Sequence, residues 1–183
     1  ARYARDGGFL FSRSAWAGSQ RYPSQWGGDP QADWGGLAAS IRGGLSWGLS
    51  GAPYYATDVG GFYGDQRDPL LYVRWAQASV WSAHMRLHGI GPREPWSYGA
   101  EAERAAMAAL ELRYRLLPYL WRAVQQASAT GLPVQRAMAL ACPGEPEAWG
   151  FDQQFFCGDD LLVAPCLHPS GRVRVYLPDG EWC

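Results

Sequence analysis

Hydrophobic spacing along the chain alternates short apolar runs with helical stripes. Residues 9–15 form a brief apolar run that reads as a buried strand, with Arg13 near its C-terminal end. A polar loop containing Gly18 and Pro23 leads on to Gln25-Trp26-Gly27-Gly28-Asp29-Pro30. From Trp34, apolar residues fall at Leu37, Ala38, Ile41, Leu45 and Leu49, the intervals of an amphipathic helix that Gly43 and Gly44 weaken. Residues 52–59 read as the next strand, ended by Gly60-Gly61-Phe62. A second helix is expected from about residue 70 to 87, with Leu71, Trp75, Ala78, Trp81 and Met85 on one side and Gly89 as its C-cap. A Pro-rich loop then passes Trp96 into a long helix over about residues 102–129. Its expected core stripe is Leu110, Tyr114, Leu117, Trp121 and Val124, with a kink at Pro118 and a stop at Gly131.

Strand, helix, strand, helix is the rhythm of a parallel α/β unit. It stops after Leu132. Residues 133–140, 160–165 and 172–177 are short strand-like runs punctuated by Gly and Pro, without helical periodicity. The expected organisation is therefore an α/β part over residues 1–131 and the beginning of an all-β domain over 132–183.

Composition narrows the function classes. A formal net charge of −1 on 183 residues argues against non-specific nucleic-acid binding and gives no electrostatic case for an anionic membrane. All sixteen basic residues are Arg. Ten Trp and ten Tyr offer flat faces suited to neutral sugar rings, although most such residues fill cores. Cys142, Cys157, Cys166 and Cys183 lack the spacing of a disulfide framework or a zinc site. There is no signal-peptide pattern and no run of eighteen apolar residues, and both ends read as cut within a pattern; the expected compartment is the cytoplasm.

Active sites of parallel barrels gather at the C-terminal ends of the strands, and Arg13, Asp29 and Asp58 occupy such positions. Asp29 followed by Pro30 also fits a helix N-cap. Asp58 also fits a buried carboxylate paired with an Arg. Two carboxylates flanked by Trp26 and Phe62 suggest glycoside chemistry, and spacing alone pairs Asp29 with Asp58. His84 and His88, on one face of the expected helix, lack the Glu and the third ligand of a zinc site. His88, at that helix's end, reads instead as a hydrogen-bonding residue. The paired glycines carry no phosphate-loop signature.

In order and spacing, several stretches together resemble glycoside hydrolase family 31, the retaining α-glucosidases and α-xylosidases. They are residues 11–23, Trp26-Gly27-Gly28-Asp29, residues 40–51, Asp58-Val59-Gly60-Gly61-Phe62, residues 82–89, residues 113–120 and Leu161-Leu162-Val163-Ala164-Pro165. The resemblance implies the C-terminal half of a (β/α)8 TIM barrel followed by the beginning of a β-sandwich. It implies Asp29 as general acid/base, and Arg13, Trp26, Phe62 and His88 as substrate-binding residues of the −1 subsite. Asp58 becomes a residue behind that site rather than the partner of Asp29, since the family's nucleophilic aspartate lies on an earlier strand. No metal or organic cofactor is implied, and the partner is an oligosaccharide or glycoside; self-association of the full-length enzyme stays open. Pro30 and Thr57 depart from the Asn or Cys and the His found at these positions in relatives, which leaves glucose against xylose undecided. An α-glucan lyase, a transglycosylase or a non-catalytic sugar-binding fragment are the alternatives.

Overall fold

The computed structural model describes residues 7, 10–22, 24–64 and 67–183. Phe9 and Pro23, read from the sequence as strand and loop, lie outside these described residues. Strand β1 (Phe11–Ser12) pairs with β2 (Ser24–Trp26), and β2 with β3 (Tyr54–Ala56), in parallel register. Strand β4 (Asp58–Val59) pairs in parallel with β5 (Arg86–Leu87). β3 and β4 are one run of chain, which passes at Thr57 from one neighbour to the other.

Helix α1 (Trp34–Leu49) begins where the apolar spacing placed it. Its N-cap is Asp33, whose carboxylate accepts from the Gly36 N–H at 2.6 Å. Asp29 lies upstream of that cap and starts no helix, so its reading as a cap is corrected. Leu37, Ile41 and Leu45 form the buried stripe, and Gly44 lets the ring of Tyr55 on β3 press against the helix backbone.

Helix α2 (Pro69–Ser79) starts at Asp68, which accepts from the N–H groups of Leu70 and Leu71. It ends well short of residue 87, and the cause lies on another helix. Arg113 donates from Nη1 to the carbonyls of Val80 and Ser82, both at 2.7 Å, and from Nη2 to Ala83 O at 3.1 Å. One planar guanidinium thus takes the carbonyls that follow the last helical turn. Beyond it the chain runs extended as β5, with Met85 and Leu87 packed on the core. His84 and His88 therefore share no helical face, and Gly89 caps no helix.

Helix α3 (Ala100–Thr130) runs through Pro118 and stops at Gly131, whose N–H donates to Ala127 O from a left-handed conformation. Its buried side is Ala102, Ala106, Ala109, Leu120, Ala123 and Ala127. The expected stripe fails at Tyr114, Leu117 and Trp121, while Val124 packs on the core and Leu110 is half-buried. Tyr114 is 74% exposed, Trp121 63% and Leu117 43%. Small alanines let α3 lie close against α2, and Tyr114, Leu117 and Trp121 are left on the outside.

The remaining strands, β6 (Gln135–Ala137), β7 (Phe155–Cys157) and β8 (Leu161–Val163), form an antiparallel sheet. A short helix, α4 (Met138–Ala141), breaks the run expected over 133–140, and β7 was not foreseen. Residues 172–177 join no ladder. The Gln154 side chain takes that role at one residue, accepting from Tyr176 N–H at 2.9 Å and donating to Tyr176 O at 2.7 Å. The two parts share one core, in which Phe155 and Val163 join Leu37 and Trp75. Buried Arg136 fastens the junction by donating to Pro133 O, Gln126 Oε1 and the Asp159 carboxylate. Close by, fully buried Cys157 donates to Trp81 O at 3.4 Å, and burial pushes its thiol up to about 12.

Arg113→Met should strip three carbonyls of their donor and cost about 2–4 kcal/mol. Urea unfolding monitored by circular dichroism measures that loss, and a loss below about 0.5 kcal/mol, the range of ordinary surface changes, would contradict this role for Arg113.

Candidate active site

The loops that follow β2, β4 and β5 are tied together by their own backbones. Phe62 N–H donates to Pro30 O at 2.7 Å, Ala32 N–H to Tyr63 O at 2.8 Å, and Ile90 N–H to Phe62 O at 2.8 Å. Buried Arg93 locks the last join, donating from Nε to Gly61 O at 2.7 Å, while Tyr72 Oη–H donates to Arg93 O at 2.7 Å. Gly61 makes the crossing feasible. Its φ is +79°, and a Cβ there would sit 2.7 Å from the Ala32 backbone nitrogen. These loops carry Asp29, Phe62 and His88.

Arg13, immediately after β1, faces Asp29 across the loop that follows β2, with Nη1 3.4 Å from Oδ1. Gly27 and Gly28 admit this arrangement, because a Cβ on the first would run into the Tyr55 hydroxyl and one on the second would lie 2.9 Å from Arg13 Nε. The side chains of Arg13 and Asp29 are 56% and 34% exposed, so the pair is screened and the carboxylate remains open to a ligand. An open groove of about 580 Å³ adjoins Asp29, with Trp47 and Tyr55 on its walls. Tyr55 is half-buried, and the desolvation of its phenol, followed by the charge of Asp58, pushes that group far up.

Trp26 stacks on Phe11, with ring centroids 4.6 Å apart and planes at 22°. Phe62 faces His88, ring to ring, at 5.4 Å. His84 is separate from His88 and meets the edge of Phe11 at 5.1 Å. Burial first, and then the charge of Arg113, lower its imidazole to about 4. Asp58 is fully buried and accepts from Arg86 Nε at 2.6 Å. Burial raises its carboxyl, and the Arg86 hydrogen bond and charge oppose that rise without cancelling it. Its Oδ2 has no hydrogen-bond partner among the described residues.

The structure thus gathers the named residues into three contacts: Arg13 with Asp29, Phe62 with His88, and Asp58 with Arg86 beneath Trp26. Sequence reasoning missed Arg86, Arg93 and the buried state of His84. A signal for Arg86 was present, since Met85-Arg86-Leu87-His88 alternates with the period of a strand. For Arg93, in a Pro-rich loop, there was none.

Comparison with known proteins agrees along the whole chain. Residues 1–123 match the description "Glycosyl hydrolases family 31 TIM-barrel domain", and residues 131–183 match "Glycosyl hydrolase family 31 C-terminal domain". An alpha-xylosidase of Emericella nidulans is 39% identical over 170 residues, covering 92% of this chain and 22% of its own length. A probable alpha-glucosidase of Oryza sativa subsp. japonica is 40% identical over 178 residues, covering 95% of this chain and 20% of its own. The crystal structure of a GH31 alpha-xylosidase from a soil metagenome, complexed with xylose, superposes with a TM-score of 0.90 at 35% identity. That match covers 98% of this chain and 31% of the other. The chain therefore spans about a fifth to a quarter of the curated relatives it matches.

His84 supplies a pH test. Its folded value of about 4 lies below the ordinary 6.5, so the unfolded chain binds more protons between those limits. That stability is present above pH 6.5 and is lost as pH falls toward 4. Between pH 7 and 5 the wild type should lose urea resistance faster than His84→Gln, by at most about 1.4 kcal/mol per pH unit. Parallel pH profiles for the two proteins would refute a buried neutral His84.

Proposed function

This chain belongs to glycosyl hydrolase family 31, and on that footing we propose that it supplies the acid/base side of a retaining exo-acting α-glycosidase. The full-length enzyme would release α-linked glucose or xylose from oligosaccharides or glycosides. The observation that carries this reading is the state of Asp29. It is an uncapping, partly exposed carboxylate at the end of a parallel strand, 3.4 Å from an Arg and three residues beyond a stacked Trp.

In this reading Asp29 donates its proton to the departing glycosidic oxygen while an upstream aspartate attacks the anomeric carbon. Asp29, then a base, takes a proton from water, and that water cleaves the glycosyl-enzyme with net retention. Arg13 touches Asp29 and, with His88, orients ring hydroxyls. Both donate hydrogen bonds to those hydroxyls, bonds that strengthen in the oxocarbenium-like transition state. Trp26 and Phe62 form the apolar wall of the sugar site, and Phe62 also fixes the His88 ring by contact. The loop ties from Pro30 through Phe62 to Ile90 support the reading, because they hold acid, wall and hydroxyl-binding His at fixed relative positions.

In the full-length protein, Asp29→Ala should lower kcat/KM on unactivated disaccharides by about 10²–10⁴, the usual contribution of a general acid. On an aryl α-glycoside with an activated leaving group the first step needs little proton donation, and pre-steady-state release of the phenol should survive. Equal loss on both substrates would remove Asp29 from the acid role.

A further inference from the structure

Arg86 and Asp58 are direct partners in the β4–β5 ladder, so their side chains emerge side by side on one face. Asp58 is fully buried, and its Oδ1 accepts from Arg86 Nε at 2.6 Å. A carboxylate without access to water holds its cation firmly, because releasing it would leave a buried charge unpaired. The guanidinium extends from this anchor across the aromatic pair next to Asp29. Its carbon lies 4.8 Å from the Trp26 ring centroid and 5.2 Å from that of Phe11.

The indole needs such a hold. Trp26 Nε1 is buried with no hydrogen-bond partner among the described residues. No hydrogen bond fixes the ring, and its orientation rests on its contacts with Phe11, in a near-parallel stack, and with the guanidinium of Arg86. Arg suits this position and Lys does not. A planar, forked cation can donate to the carboxylate through Nε and lie on a ring at the same time, whereas an ammonium is a point charge with no flat face.

We propose that Arg86 is a positioning residue, anchored by Asp58, which fixes the Trp26 indole as the wall of the sugar site beside Asp29. Its ion pair is with Asp58, not with Asp29, and it acts through Trp26. The proposal rests on the glycosidase reading given above.

A double-mutant cycle in the full-length protein tests it, with kcat/KM for an activated aryl α-glycoside normalised to titrated active sites. Arg86→Lys and, independently, Asp58→Asn should each lower kcat/KM by about 10–100-fold when Trp26 is present, and by less than about 3-fold in a Trp26→Phe background, the signature of acting through that ring. An equal fold-loss in both backgrounds overturns the proposal. So does a loss that disappears once rates are divided by titrated sites, which would mean a purely structural role. Asp29→Ala serves as the separate control. If it leaves turnover of unactivated glycosides intact, the glycosidase reading falls and this proposal with it. If it impairs them while the cycle is additive, only the role of Arg86 falls.

Discussion

Residues 54–59 belong to two ladders at once, and the position of every candidate site residue depends on that fact. Up to Ala56 the chain bonds to the strand that leads to Asp29; from Asp58 it bonds to the strand that leads to His88. Thr57 is the point of transfer and is buried. No backbone ladder joins β2 to β5 among the described residues, so Asp29 and His88 are related in space through this run and through the loop bonds from Pro30 by way of Phe62 to Ile90. The side chains at its two ends repeat the theme. Tyr55 presses on α1 beneath Asp29, and Asp58 binds the arginine of β5. A shift in this strand would move both ladders together.

The loops add a second level of constraint that rests on backbone hydrogen bonds more than on apolar burial. Their hydrogen bonds run from backbone to backbone, and Arg93 contributes carbonyl-directed bonds rather than an ion pair. Such bonds depend on where the chain is, not on which side chains it carries. That explains why the glycines of these loops matter and why their neighbours need not be polar.

Much of the architecture was legible in residue spacing. The α1 stripe, the strand ends bearing Arg13, Asp29 and Asp58, and the stop at Gly131 follow from local periodicity and turn chemistry. What escaped was decided by partners distant in sequence. Residues 80–87 carry a helical pattern, yet Arg113, roughly thirty residues later, occupies the carbonyls that follow α2 and the chain turns to strand. The α3 stripe misled for a related reason. Periodicity identifies an apolar face, but the close approach of α2 selects the face of alanines. At the site, Asp29 resembles a cap by its Pro30 neighbour, and only the position of Asp33 removes that reading. The ion pair of Asp58 was foreseeable as a type, while its partner Arg86 was not, because β5 had been read as helix.

Cys157 gives the junction between the α/β part and the antiparallel sheet a chemical reporter of its own. Its sulfur is sealed between the Trp81 carbonyl and the shared core, and a thiol held near 12 supplies almost no thiolate at neutral pH. Cys183, by contrast, is exposed. A maleimide or a thiol-specific dye therefore reaches Cys183 first and half-buried Cys166 after it, and modifies Cys157, identified by its peptide, only when the sheet parts from α3. The rate of that slower modification is a clock for separation of the two parts, read from the native sequence without an introduced label.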